Sequence, residues 1–379
     1  MNVRQNKLAS LAALGLVGGL ALTACGGGSD TASGTGSDNG GAAASGDYAS
    51  LTGNLTGAGA SSQQNAQTAW TESFMGIAQG QGSSLNVTYD SVGSGTGREQ
   101  FLSNQAAFAG TDAALTEEEL ASSKEVCNGE QAFDLPVYIS PIAVVFKLDG
   151  VDSLNLSPET IAGIFSGKIT KWNDEAITKE NPDATLPDLD IVPVHRSDKS
   201  GTTENFTEYL SETAGDVWTD GPVEEWPTSG GQSGEGTSGL ISTVQGGNGT
   251  IGYADASQAG ELGTAAIKVG EEYVPYSADA AAKAVDASPR EEGREDHDIV
   301  VKLDRKTTES GAYPLVLVSY LAVCGSYADQ ATGDAVKAYA SYIVSADGQK
   351  AAADNAGAAP LSDELSSEAQ AAIDAIAVG

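Results

Sequence analysis

Arg196-Ser197-Asp198-Lys199-Ser200-Gly201-Thr202-Thr203 gathers, within eight residues, the groups that grip an anion. A guanidinium presents a planar fork of donors matched to oxyanion geometry. The hydroxyls of Ser200 and Thr202 add two more. If Gly201 opens a helix, the first-turn N–H groups have no partner of their own and converge on one spot. The chemistry this predicts is capture of an oxyanion by directed hydrogen bonds. Turnover is the rival. Ser94 or Ser200 could act as the nucleophile of a phosphatase-like enzyme, but neither has a histidine base in an arranged motif. The two histidines, His195 and His297, are far apart, and no Cys/His cluster offers a metal centre. The expectation is a binding protein with no metal, no cofactor and no catalytic residue.

Three other stretches carry complementary groups. Ser61 and Ser62 follow Gly57-Ala58-Gly59-Ala60 and precede a predicted helix over 63–77, marked by Trp70, Phe74 and Ile77 near helical spacing. A serine there either caps the helix or gives its hydroxyl and N–H to a ligand. Val92-Gly93-Ser94-Gly95-Thr96-Gly97-Arg98 follows an alternating strand over 85–89. Its glycines leave backbone N–H groups open, and a helix is expected over 99–104. The positions fit neither a dinucleotide fingerprint nor a Gly-Lys-Ser/Thr loop. Arg98 either faces the cleft or makes an ordinary ion pair with an acid, the commoner fate. A short strand over 107–112 ends in Asp112, ahead of a helix that Thr116 and Glu119 open as a capping box. Asp112 is either a structural cap or salt link, or an acceptor in a donor-lined pocket. The second role is useful only if the anion carries a proton.

These groups need a frame. A strand over 191–194 leads into the anion stretch. A helix over 204–212 follows, with Phe206, Tyr209 and Leu210 on one face. Ser157-Pro158 opens another helix, with Ile161, Ile164 and Phe165 inward. Trp218 and Trp226 either cover a core or form an exposed patch for a sugar. Apolar runs over 135–139 and 142–146 flank Ser140-Pro141, a place for the chain to cross between lobes. The long apolar run over 313–324 reads as a buried strand and the return crossing. Residues 51–379 exceed one typical core, so two lobes are expected. Residues 51–140 and 311–379 build the first and 141–310 the second. The fold class is α/β, each lobe a mixed sheet flanked by helices, with two crossover strands.

Residues 1–24 read as a lipoprotein signal. Arg4 and Lys7 open it, an apolar run follows, and Leu22-Thr23-Ala24-Cys25 forms a lipobox in which Cys25 is lipidated. Residues 25–50 are Gly, Ser, Ala, Thr and Asp with almost no apolar bulk, a flexible membrane tether. The protein is therefore expected on the outer face of the cytoplasmic membrane, held by lipid. The full chain has 52 acidic and 19 basic side chains and a formal net charge of −33. Loss of the signal makes it two units more negative, since Arg4 and Lys7 leave with it and no acid does. Such a charge argues against nucleic acid and for a soluble monomer. It also repels anions at long range, so capture must come from local dipoles and the arginine. Cys127 and Cys324 remain; an even pair in an exported chain favours one bridge, two separate buried thiols being the alternative.

Taken in order, the motifs resemble those of the surface-anchored phosphate-binding proteins of high-affinity phosphate ABC importers, in their Gram-positive, lipid-anchored form. The motifs are Leu51-Thr52-Gly53 with Gly57-Ala58-Gly59-Ala60-Ser61, Val92-Gly93-Ser94-Gly95 with Gly97, Ala109-Gly110-Thr111-Asp112, Arg196-Ser197-Asp198 with Ser200-Gly201-Thr202, and Ile251-Gly252-Tyr253. The resemblance spans essentially the mature chain. It implies a type II-like periplasmic-binding-protein fold and capture of inorganic phosphate in an interlobe cleft for delivery to the transmembrane subunits of an ABC permease. It implies ligand roles for Ser61, Ser62 (through its N–H), Ser94, Arg196, Ser200, Gly201 and Thr202. Asp112 takes the position of the carboxylate that accepts the phosphate proton, and Asp198 that of the acid bracing the arginine. The chain departs from the family at Ser62-Gln63-Gln64-Asn65, where an aromatic residue and Pro-Ala-Pro are usual. The alternatives are a binder of sulfate, molybdate or a sugar acid, the phosphatase-like enzyme, and an adhesin with a vestigial cleft.

Overall fold

A computed structural model describes residues 46–379. The signal segment, Cys25 and the tether up to residue 45 lie outside the described residues. In chain order the elements are β1 (Thr52–Gly59), α1 (Gln64–Gly80), β2 (Ser84–Ser91), α2 (Ser94–Leu102), β3 (Phe108–Thr111) and α3 (Glu117–Ser123). There follow β4 (Ala132–Lys147), β5 (Ser153–Leu156), α4 (Pro158–Phe165), α5 (Glu175–Glu180), β6 (Val192–Arg196), α6 (Gly201–Thr213) and β7 (Gln232–Gly234). Next come α7 (Gly236–Gln245), β8 (Thr250–Asp255), a 3-10 turn (Ala256–Gln258), β9 (Gly263–Val269), β10 (Glu272–Val274) and α8 (Ala278–Asp286). The chain closes with β11 (Val316–Cys324), β12 (Ser326–Tyr327), α9 (Gln330–Val344), α10 (Ala346–Ala356), α11 (Asp363–Ala375) and β13 (Ala377–Val378).

Eleven strands form one mixed sheet whose main path is β2-β1-β3-β11-β4-β8-β6-β7, with β9 pairing β4, β5 and β10. Both apolar runs around Pro141 belong to a single strand. The first part of β4 pairs antiparallel with β11, Ala132 opposite Cys324 and Pro141 opposite Val316. Its second part pairs with β8, Ile142 opposite Asp255 and Lys147 opposite Thr250. β4 therefore belongs to both halves of the sheet. It is buried along its length up to Phe146, as an unbroken apolar run with cover on both faces requires. The register of β11 on β4 shifts between Ser319 and Tyr320.

Local signals explain most helix starts. Ser157 accepts from the Thr160 N–H and Pro158 takes the first helical position. Thr116 and Glu119 form the capping box. On α1, Trp70, Phe74 and Ala78 face inward, and Trp70 Nε1 donates to the Gly348 carbonyl at 2.8 Å, tying α1 to α10. Ordered packing begins before residue 51: Tyr48 is buried against Phe74, ring centroids 5.1 Å apart. Trp218 is fully buried, and Trp226 stacks between His195 and Tyr253, so both tryptophans cover core.

One boundary differs in a way that matters for the site. The sequence pattern predicts an open glycine turn up to residue 98 and a helix from 99, whereas α2 already begins at Ser94. The glycines serve close approach rather than a loop. A Cβ on Gly97 would lie 2.3 Å from the Gly59 Cα, so only glycine lets α2 settle on the end of β1.

Cys127 and Cys324 are joined by a disulfide, with Cα atoms 5.0 Å apart. It links the chain after α3 to the end of β11. Among the described residues, no helix is long and apolar enough to cross a membrane.

Candidate functional site

The anion stretch sits where β6 ends and α6 begins. Arg196, the last residue of β6, is buried. Its Nε donates to Asp198 Oδ1 at 2.8 Å, and its Nη2 pairs with Asp198 Oδ2. Asp198 Oδ1 also accepts the Gly236 N–H at 3.0 Å. Burial pushes the Asp198 carboxyl up, but the Arg196 guanidinium and the Gly236 N–H outweigh it, and its pKa lies below the ordinary carboxylate range. This pair orients the guanidinium and leaves Nη1 without a protein acceptor among the described residues.

Ser200 caps α6: its hydroxyl oxygen accepts the Thr203 N–H at 3.1 Å, and its own N–H donates to the Glu224 carbonyl. The N–H groups of Gly201 and Thr202, first and second in the helix, have no protein acceptor among the described residues. They are the orphan donors of a helix start, beside Arg196. Gly201 is also a place where the two halves of the sheet approach closely. A Cβ there would lie 2.7 Å from Ser94 Oγ and 2.9 Å from the Asp112 Cβ.

Asp112 lies just beyond β3, and its side chain is enclosed by hydroxyls. Ser62 Oγ and Ser319 Oγ each donate to Oδ1 at 2.6 Å, and Thr202 Oγ1 donates to Oδ2 at 2.8 Å. Its backbone is held as well: the Asp112 N–H donates to Ser94 Oγ at 3.1 Å, and Asn205 Nδ2 donates to its carbonyl at 2.7 Å. Burial raises its pKa, while the Ser319, Ser62 and Thr202 hydroxyls and the charge of Arg196 pull the other way.

The predicted residues thus converge. Ser62, Ser94, Gly201 and Thr202 touch Asp112 or its immediate partners, and the field of Arg196 reaches it. Ser61 sits one step away. Its Oγ lies 2.9 Å from Thr237 Oγ1 and accepts the Thr237 N–H at 3.0 Å, so a second helix start, that of α7, faces the cleft. Neither Ser61 nor Ser62 caps α1 through its side chain; the cap position is Gln63, whose side chain makes no capping bond. Arg98 pairs with acids, as expected of it. It forms a two-pronged bridge to Glu224 at 2.9 and 3.0 Å and a further bond to Glu119 at 2.8 Å. Lys199 and Glu99 add an exposed ion pair across the same seam.

Sequence reasoning passed over Ser319, Asn205, Thr237 and Gln63. Two of these had a signal. Ser319 is the one serine or threonine in the apolar stretch that forms β11. Gly236-Thr237 repeats the glycine–hydroxyl opening of Gly201-Thr202. Asn205 and Gln63 carried none, since nothing local says which way an amide on a helix start points.

A cleft of fixed donors set between two halves of a sheet that share crossing strands defines the class of two-lobe solute-binding proteins. A family model described as a PBP superfamily domain matches residues 29–347. Phosphate-binding protein PstS 3 of Mycobacterium tuberculosis is 35% identical over 379 residues, covering 97% of this chain and 98% of that protein. The chain belongs to the PBP superfamily and, within it, to the family of the PstS phosphate-binding proteins. Solved structures share the fold. The high-affinity periplasmic phosphate-binding protein PfluDING, solved with phosphate bound, aligns with a TM-score of 0.69 and 21% identity, over 84% of this chain and 93% of its own. A phosphate-binding protein from Stenotrophomonas maltophilia aligns at 0.67 and 21%, over 84% and 94%.

Proposed function

We propose that this protein captures inorganic phosphate in the cleft between its lobes and hands it to the transmembrane subunits of an ABC permease. The observation that carries the reading is Asp112: a buried carboxylate, bonded only to neutral hydroxyls, set among the free donors of Arg196, Gly201 and Thr202. Donors alone would hold any tetrahedral oxyanion. An added acceptor favours the one that still carries a proton at neutral pH. Phosphate donates that proton to Asp112; sulfate has none and leaves the acceptor facing like charge. An unpaired buried acceptor costs about 1–3 kcal/mol, before repulsion, so selectivity rests on a penalty against the wrong ion.

The ligand set in this reading is Ser61, Ser62, Ser94, Asp112, Arg196, Ser200, Gly201 and Thr202, with Asp198 bracing the arginine. The site binds rather than turns over its ligand. The chain works as a monomer at the outer face of the cytoplasmic membrane, tethered through lipid on Cys25. The lipobox and glycine-rich tether support the anchor, and the family relationship supports the permease. Equilibrium titration of the purified protein with phosphate and with sulfate tests the reading. Tight phosphate and negligible sulfate binding is expected, and Asp112→Asn, whose amide can donate to sulfate, narrows the gap. Equal affinity of the parent for both ions would overturn it.

A further inference from the structure

We propose that Ser319 and Gln63 are specificity-determining positioning residues: they hold one oxygen of Asp112 fully occupied, so that the other offers a single acceptor position for one ligand proton. The inference rests on the phosphate reading and deepens it.

The sheet places Ser319 for this purpose. Tyr320 pairs with Thr111, the residue before Asp112. The register shift between β11 and β4 falls between Ser319 and Tyr320. Such irregularities re-aim a side chain beside a functional group. Ser319 Oγ meets Asp112 Oδ1 at 2.6 Å.

The direction of each hydrogen bond follows from the one before. Gln63 Nε2 donates to Ser319 Oγ at 2.6 Å and to the Tyr320 carbonyl at 3.0 Å. A carbonyl only accepts, so it fixes which end of the Gln63 amide faces β11. Gln63 Oε1 accepts from Gln67 Nε2 at 2.8 Å, and Gln67 Oε1 accepts from the Tyr339 hydroxyl at 2.8 Å. Ser319 therefore receives a hydrogen from Gln63 and must pass its own onward. Its acceptors are Asp112 Oδ1 at 2.6 Å and the Thr111 carbonyl at 3.2 Å. The carboxylate is nearer and carries charge, so it takes the hydrogen.

Ser62 brings a second hydroxyl to the same oxygen at 2.6 Å. Both lone pairs of Oδ1 are then occupied, whereas Oδ2 accepts only from Thr202 and keeps one position. Arg196 on β6, Asp255 at the end of β8 and Tyr89 on β2 act on Asp112 through space, Glu204 and Glu208 on α6 and Arg294 and Arg305 ahead of β11 line the same cavity, and none of them bonds its carboxylate. The charge is thus stabilised by neutral donors and not cancelled by a contact cation. The geometry leaves one acceptor position on Oδ2 open to one P–OH. Residues 62 and 63, where this chain departs from the family pattern, supply two members of the arrangement.

Removing the Ser319 hydroxyl takes a donor from the ionised carboxylate, so Asp112 takes up a proton more readily. A protonated Asp112 donates to sulfate. The test is phosphate and sulfate titration of the full-length protein from pH 5 to 8 with Ser319→Ala, Ser319→Thr and Gln63→Leu. Ser319→Ala is expected to lower the phosphate-to-sulfate affinity ratio about tenfold. The pH below which sulfate binds is expected to rise by about one unit. Ser319→Thr restores the parental profile, and Gln63→Leu shifts it in the same direction by less. If Ser319→Ala does not fold, Gln63→Leu decides. A folded variant with the parental ratio and pH profile overturns the positioning role, whereas a parent that fails to bind phosphate overturns the functional reading instead.

Discussion

Asp112 and Asp198 line the same cleft, and the protein treats them in opposite ways. Asp198 is paired with a guanidinium and a backbone N–H, which hold its pKa down. Asp112 has only hydroxyls in contact, and burial pushes its pKa up. The first carboxylate neutralises part of an arginine and fixes its direction. The second has no cation in contact, and in the proposed reading it is the group that meets the ligand's proton. A binding site built only on the Arg196 corner would take any oxyanion of the right size. In the proposed reading, discrimination enters with the other corner.

The comparison can be broken most forcefully at Arg196. Arg196→Ala leaves Asp198 as a half-buried charge held only by the Gly236 N–H, a change worth about 1–3 kcal/mol. Titration calorimetry should show phosphate binding lost, and denaturant unfolding should show a destabilised apo protein. Retained phosphate affinity would mean that the helix start alone holds the ion.

The two carboxylates should also part company in stability. An acid whose folded pKa is depressed stabilises the fold above its ordinary range, and that contribution fades as pH falls through the folded value. An acid whose folded pKa is raised does the reverse, and its contribution is lost as pH rises. Asp198→Asn should therefore cost about 1–3 kcal/mol at pH 7, a penalty that shrinks below pH 4. Asp112→Asn should leave apo stability at pH 7 unchanged or raised. Urea titrations of both variants at the two pH values check the signs, and equal penalties at pH 7 would erase the distinction.

The smallest effect is expected at the seam. Glu224→Gln weakens the two-pronged bridge to Arg98, which also holds Glu119. A partly exposed pair contributes about 1 kcal/mol or less. Phosphate affinity should drop a few-fold while its ratio to sulfate stays fixed, because the bridge joins the two sides of the cleft without touching Asp112. A changed ratio would show that closure and selectivity are not separable.

Much of this was legible in the sequence because the informative residues act locally. A strand ending in arginine and a Ser-Gly-Thr helix start announce the anion corner through backbone geometry, which neighbours in sequence determine. The crossing strands showed as apolar runs, and Cys127 with Cys324 followed from parity and topology. The Asp112 corner was only half legible. Its acid could be read as a cap, a salt link or a ligand, and the residue that separates these readings, Ser319, lies 207 positions along the chain. No local pattern encodes a hydroxyl delivered by a strand returning from the other lobe. The early start of α2 was hidden for a related reason: Gly97 looks like part of a loop until the end of β1 that it packs against is in place.

Strand β4 runs through both lobes without interruption, and β11 accompanies it to Pro141. β4 is the strand of this ribbon that pairs into both halves, so opening of the cleft would have to flex it while its apolar residues stay covered on both sides. The ribbon itself should consequently contribute little change in apolar hydration on loading. Calorimetrically, uptake of the ion would register as heat with only a small change in heat capacity, the signature of polar exchange and not of burial.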